Sequence, residues 1–353
     1  MKKEKAKKAV TPKISEFKRR AKSDASDELT KLFDLATGYQ RAKVLFALLE
    51  FEIPTLLAKK PRTSEKIAAK LKIERIAADR LLNAGAALEI LIKRKDVFAV
   101  DPAHERYLVK DSPAYLGAQF LRYDESSYPL WNDLTDKIKD WRQGATASET
   151  PEEDDQGGAA LADQHNLALL VGDQLAGAFN FANFKTLLDL GGGTGAMAIS
   201  ICRCYKKLSA VVFDLPQIAK TARKFIKKAD LSDRIEACGG NFQTDDLPES
   251  FDVALLANFM SVADETANRK LLKKIHEKLP RGGAVILSGW ILDDAADNPT
   301  VPVLFCLEDI CREAADVERT AKTYQKWLRD AGFKKIRHEK YFHPTSMIVG
   351  YKR

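Results

Sequence analysis

Residues 186–197, TLLDLGGGTGAM, pass from an apolar run through an aspartate into four glycines within five positions. A short apolar run closed in this way reads as a buried strand. The glycines supply a turn where backbone can come close to a ligand before a helix begins. Strands alternate with helices from there on. Residues 185–190, 209–215, 234–242, 251–258 and 283–290 read as strands with Lys-rich helices between them, and 334–340 and 346–352 as two late strands across a short turn. Five βα units predict a parallel sheet covered on both faces, with an antiparallel hairpin at its end.

Three ligands compete for the turn. A nucleoside triphosphate requires G-x-x-x-x-G-K-[ST], and no lysine follows these glycines. A dinucleotide requires G-x-G-x-x-G/A, which Gly191, Gly193 and Ala196 satisfy, with Asp214 as the acid about 20 residues on. S-adenosylmethionine carries one nucleoside and no phosphate. Its turn need only admit the amino-acid end, while an acid after the second strand grips the ribose hydroxyls. Asp189 favours this third ligand, because a carboxylate just before the glycines repels a pyrophosphate. The late hairpin favours it too, since a dinucleotide domain continues with a sixth parallel strand. Gly191, Asp214, Asn241 and Asn258 all fall at the carboxyl ends of strands one to four, where open α/β sheets hold ligands.

A chain of 353 residues is long for one core and comfortable for two. Residues 29–121 read as helical with a short β element. Two helices inside them, over 63–73 and 73–90, have helix-turn-helix spacing, and 92–108 reads as the hairpin wing of a winged helix. The candidate recognition helix carries Arg75 and Arg80 but also Glu74, Asp79 and Glu89 amid Ala and Leu. That composition points to dimerisation ahead of DNA binding. A winged-helix regulator with a ligand-sensing second domain is the alternative from another class.

Charge supports the same ordering. Residues 1–22 hold ten Lys/Arg against two Glu, a net +8, so the rest of this +7 chain sums to −1. A near-neutral body with a basic, disordered tail over 1–24 is expected, with neither nucleic acid nor membrane as partner. No apolar run approaches the ~20 residues needed to span a bilayer, and no apolar segment follows MKKEKAKKAV, so a cytoplasmic enzyme is expected. The five cysteines lie mostly in apolar segments, and Cys202-x-Cys204 is too closely spaced for a zinc knuckle, so no metal is expected. The expected organisation is a tail (1–24), a winged-helix dimerisation domain (25–110), a helical connector (111–169) with an acidic loop over 145–160, and an α/β ligand-binding domain (170–353).

RTSEKIAAKLKI, LLDLGGGTGAMAI, VVFDLPQ, GGNF, LPRGGAVIL and ERT occur in this order and spacing over about residues 28–350. Together they resemble the class of small-molecule O-methyltransferases that includes the caffeate, hydroxyindole and bacterial polyketide enzymes. The resemblance implies a Rossmann-like seven-stranded methyltransferase domain behind a winged-helix dimerisation domain, S-adenosyl-L-methionine as cofactor, and a homodimer acting on a small molecule. Carried over by position, Gly191 and Gly193 face the methionine part, with Asp189 before them. Asp214 and Leu215 flank the ribose, Asn241 and Phe242 the adenine, and Asn258 ends the fourth strand.

The catalytic motif departs from that class. Its base is a histidine after the fourth strand, oriented by a glutamate at the end of the fifth and by a second glutamate further on. Here Ser261 stands at the histidine's place and Gly289 at the first glutamate's, and only Glu318, in ERT, remains. A serine hydroxyl is no base near neutral pH without an activating partner. His165, on the helix before the sheet, is the substitute candidate, and the other four histidines read as structural or solvated. Three chemistries stay open: O-methylation by proximity, C-methylation of an electron-rich ring as in a related tetrapyrrole enzyme that lacks the histidine, and other chemistry on a bound cofactor. The acceptor pocket is expected between residues 301–317, including Glu308 and Asp309, and residues 123–131. Its apolar lining suits a flat hydrophobic or aromatic molecule.

Overall fold

The computed structural model describes residues 25–142, 156–312 and 319–353. The tail expected over 1–24, the acidic loop as far as residue 155, and Glu318 lie outside the described residues.

The chain begins with α1 (Ala25–Ala36), α2 (Gly38–Glu50) and α3 (Ile53–Lys59), then β1 (Arg62–Thr63), α4 (Ser64–Leu71), α5 (Arg75–Ala87), β2 (Leu91–Arg94), β3 (Val97–Val100) and α6 (Pro102–Leu108). The Thr63 hydroxyl accepts the Lys66 N–H and starts α4. Leu48, Ile53, Ile67, Leu82, Leu91 and Phe98 form the core on which helices and hairpin close. The hairpin is shorter than expected. Residues 102–108 are helical because Asp101 accepts the Ala103 N–H at 2.8 Å and Pro102 takes the first helical position.

The connector holds α7 (Gly117–Arg122), a π-helical turn (Tyr123–Ser127), a 3₁₀ segment (Tyr128–Asp133) and α8 (Leu134–Asp140). The next helix, α9 (Gln156–Ala178), starts inside the stretch expected as loop.

The remainder is β4 (Thr186–Leu190), α10 (Ala196–Cys204), β5 (Ser209–Asp214), α11 (Pro216–Lys228), β6 (Ile235–Gly239), β7 (Val253–Ala257), α12 (Glu265–Lys278), β8 (Ala284–Gly289), α13 (Thr300–Cys311), α14 (Ala321–Asp330), β9 (Lys334–Phe342) and β10 (Thr345–Tyr351). The strands form one seven-stranded sheet, ordered β6-β5-β4-β7-β8-β10-β9, parallel through β8 and antiparallel at β10 and β9. The central strands β4, β7 and β8 are apolar on both faces, as a doubly covered sheet requires, while the edge strand β9 carries Lys334, Lys335, Arg337 and Lys340. Leu187, Val212, Val253 and Ile286 pack on one side with α9, α10 and α11. Leu188, Phe213, Ala254 and Val285 pack on the other with α12 and α14. From β4 the chain moves outward through β5 to β6, then returns to the far side of β4 at β7. The ligand crevice therefore opens at the carboxyl end of β4, where the strand order reverses.

Candidate functional site

The glycine turn occupies that crevice. Gly191, Gly193 and Gly195 have φ of +65°, +57° and +75°, so three of its five residues need a conformation that side chains disfavour. Space is also short: a β-carbon on Gly191 would lie 2.2 Å from the Phe259 ring. The turn is held by Gly191 N–H on the Phe213 carbonyl and Gly195 N–H on the Gly192 carbonyl, both at 2.8 Å.

Asp214 ends β5 beside it. Its Oδ2 accepts the Gly193 N–H at 2.8 Å and its Oδ1 the Leu215 N–H at 2.7 Å. Burial raises its pKa, and the two N–H groups oppose that shift by stabilising the carboxylate. Each oxygen keeps lone-pair capacity for a hydroxyl. After β6, Asn241 forms a local turn, its Oδ1 accepting the Gln243 N–H at 2.9 Å. Phe242 meets Phe259 edge to face at 5.0 Å, which links this wall to Gly191. Asn258 closes β7 with φ +52° and donates its N–H to the Ser288 carbonyl at 2.8 Å.

Asp189 departs from its expected place among the cofactor residues. Side chains alternate along a strand, so Asp189 shares the face of Leu187, under α10. It is fully buried, Oδ2 accepting the Ala198 N–H at 3.3 Å and Oδ1 without a partner among the described residues. Burial pushes its pKa up to about 7. It supports the turn from behind and presents no surface to the crevice.

Ser261 sits half-buried in the loop between β7 and α12. Asn268, wholly buried on α12, pins that loop by donating to the Met260 and Ala263 carbonyls at 2.8 and 2.9 Å. A polar residue on an otherwise apolar helical stripe was the signal that could have found it. His165 has its Nδ1 2.7 Å from Thr194 Oγ1 in the glycine turn and its ring against Phe225. Burial, with Lys228 and Arg203 nearby, pushes its pKa down to about 4, too weak for a base toward a phenol. His338 Nε2 bonds Ser346 Oγ at 2.8 Å and His276 packs edge-on to Phe333, both structural.

Beyond β8 lies an aromatic wall. Trp290 meets Phe305 of α13 at 4.4 Å, and Phe305 meets Tyr123 of the π-helical turn at 6.1 Å, both edge to face. Glu308, 3% exposed, fastens this wall. Its Oε2 accepts Trp131 Nε1–H at 2.9 Å, and its Oε1 accepts two Arg312 N–H groups at 2.6 and 2.9 Å. Asp309 pairs with Arg319 at 2.6 Å. The excursion that carries α13 is clasped at its base, where Leu292 exchanges backbone bonds with Arg319 and Ala321, both at 2.9 Å. Among the described residues, no cluster of three His, Cys, Asp or Glu could hold a metal, and no helix is long and apolar enough to cross a membrane.

Known proteins resemble this chain along most of its length. The chain is 29% identical to 3-hydroxy-5-methyl-1-naphthoate 3-O-methyltransferase of Streptomyces sahachiroi, over 92% of this chain and 95% of that one. It is also 29% identical to an N,N-dimethyltransferase of Streptomyces rimosus, over 86% and 90%. The fold matches human N-acetylserotonin methyltransferase, solved in complex with S-adenosylmethionine, with a TM-score of 0.78 at 24% identity over 95% of this chain and 99% of that one. Residues 33–110 match the O-methyltransferase dimerisation domain, and residues 131–334 match the O-methyltransferase domain. With more than half its length in that second match, and the glycine turn, Asp214, Trp290 and Phe305 inside it, the chain belongs to the O-methyltransferase family.

Proposed function

We propose that this protein transfers a methyl group from S-adenosylmethionine to an acidic hydroxyl of a small aromatic molecule, and that it does so without a protein base. The observation that carries this reading is the site after β7 and β8, where Ser261 and Gly289 stand and no histidine does. When bound, the cofactor supplies an electrophilic methyl: the acceptor oxygen's lone pair forms the new bond to carbon as the carbon–sulfur pair leaves with sulfur. The chain's part is to bind and align. Asp214 would accept from the ribose hydroxyls, the glycine turn would admit the methionine end, and Phe242 would flank the adenine. Trp290, Phe305 and Tyr123 hold the ring of the acceptor, whose proton has already gone to solvent. Holding the partners in line is worth up to ~7–11 kcal/mol of a barrier.

The dimeric state follows the same reasoning. Leu29, Leu32, Phe33 and Leu35 of α1 are 56–79% exposed, an apolar face that a second copy would cover. This favours dimerisation over the regulator reading of the winged helix.

A second reading has its own observation. The resemblance to an N,N-dimethyltransferase, together with the missing base, fits an amine acceptor, whose lone pair needs no deprotonation near neutral pH. Transfer of deuterated methyl from labelled S-adenosylmethionine to a panel of phenols and arylamines, followed by mass spectrometry, tests both. Ethers from the more acidic phenols are expected. Labelled amines alone would favour the second reading, and failure to bind S-adenosylhomocysteine would sink both.

A further inference from the structure

We propose that His165 is a positioning residue for the cofactor turn, acting through Thr194. The role rests on the cofactor reading above. Residues 191–195 read Gly-Gly-Gly-Thr-Gly, so Thr194 alone gives the turn a side chain by which the rest of the protein can hold it. Thr194 is 4% exposed, and its hydroxyl lies 2.7 Å from His165 Nδ1. One residue earlier, the Gly193 N–H is tied to Asp214 Oδ2. The adjoining residues Gly193 and Thr194 are thus tethered, one by its N–H to the Asp214 carboxylate and the other by its hydroxyl to α9.

The histidine is itself well held. Its ring lies 4.1 Å from that of Phe225 on α11, tilted by 32°. One turn earlier on α9, Leu161 lies over Gly193, 3.5 Å from where a β-carbon would stand. Burial first, and then the Lys228 and Arg203 cations, lower the pKa of His165 to about 4 and keep the ring uncharged at neutral pH. A neutral imidazole offers one donor and one acceptor nitrogen, and a hydroxyl can serve either.

The physical gain is preorganisation. A glycine-rich turn has many conformations to lose when a ligand binds. Fixing it beforehand through Thr194 lowers that cost and appears as affinity. His165, assessed by sequence as a substitute base, therefore acts on the cofactor and not on the acceptor's proton.

Isothermal titration with S-adenosylhomocysteine tests this on four variants. His165→Phe keeps an aromatic ring against Phe225 and loses the hydrogen bond, while Thr194→Val loses the hydroxyl at nearly constant volume. Each is expected to bind about tenfold more weakly than wild type, the effect of one lost buried hydrogen bond. The double variant should bind no worse than about tenfold, since both changes remove one interaction. His165→Asn, whose amide reaches nearly the place of Nδ1, should stay within ~twofold of wild type. Variants that bind like wild type, a double variant near ~100-fold, or an Asn variant as weak as Phe would each overturn the role. Absence of binding by the wild type would fell the cofactor reading and this role with it, whereas unchanged variants beside a binding wild type would fell this role alone.

Discussion

Asn258 and Gly289 face each other across the ends of two neighbouring strands. The Asn258 Oδ1 lies 2.9 Å from where a β-carbon on residue 289 would stand. The asparagine thus takes the room that a side chain at 289, such as the orienting glutamate the resemblance implies, would need.

Restoring the family's pair must therefore move Asn258. Ser261→His with Gly289→Glu is expected to give no new titration, because the glutamate meets the asparagine. Adding Asn258→Ala should introduce an acidic limb in the pH–rate profile near the ~6.5 of an ordinary histidine. A profile that stays superimposable on wild type would contradict the assignment of these positions.

Wild-type transfer should follow ionisation of the acceptor. Log kcat/KM should rise with pH up to the acceptor's own pKa, and shift with it among phenols of different acidity. Ser261→Ala should cost less than ~tenfold in kcat/KM, under about 1.4 kcal/mol. A loss near ~1,000-fold would show that Ser261 takes part in proton transfer.

Asp189 sets a pH dependence of stability. Its folded pKa is raised from 3.8 to about 7 by burial, so between those values the folded state holds a proton that the unfolded state has lost. Stability is therefore fully present below the unfolded value and falls as pH rises through the folded one. Asp189→Asn removes that ionisation. Its stability relative to wild type should improve from pH 5 to pH 8 by on the order of 1–3 kcal/mol, read from denaturant melts at the two pH values. An offset equal at both would refute the prediction.

Glu308 couples the connector to α13. Trp131→Phe leaves one carboxylate oxygen short of a donor and should cost about 1–2 kcal/mol. Glu308→Ala should cost roughly 1–3 kcal/mol, less than for a fully buried pair, because Arg312 is 41% exposed and stays solvated. Acceptor KM should rise in both while S-adenosylhomocysteine affinity stays at the wild-type value. An equal loss of cofactor affinity would mean that the wall and the cofactor site are one unit.

Much of this protein was legible in the linear pattern. Alternating apolar runs and Lys-rich helices announced the doubly covered sheet, and the late pair of strands its antiparallel edge. Four glycines and Asp214 marked the crevice at the strand ends, because backbone permissiveness and strand ends are local properties. Capping by Asp101 before Pro102 is equally local and marks 102–108 as a helix, where the alternating pattern of 97–100 alone suggests a longer hairpin.

Tertiary structure alone decided what the side chains do. The pleat sends Asp189 beneath α10, and its whole character follows from the water it loses there. His165 finds Thr194 across 29 positions, and Trp131 finds Glu308 across 177. Tyr123, Trp290 and Phe305 come from three separate elements to make one wall. The composition named these residues but not their partners. Hydrogen bonding and desolvation depend on distances of a few ångströms and on exclusion of solvent, and both come into being only when the chain folds.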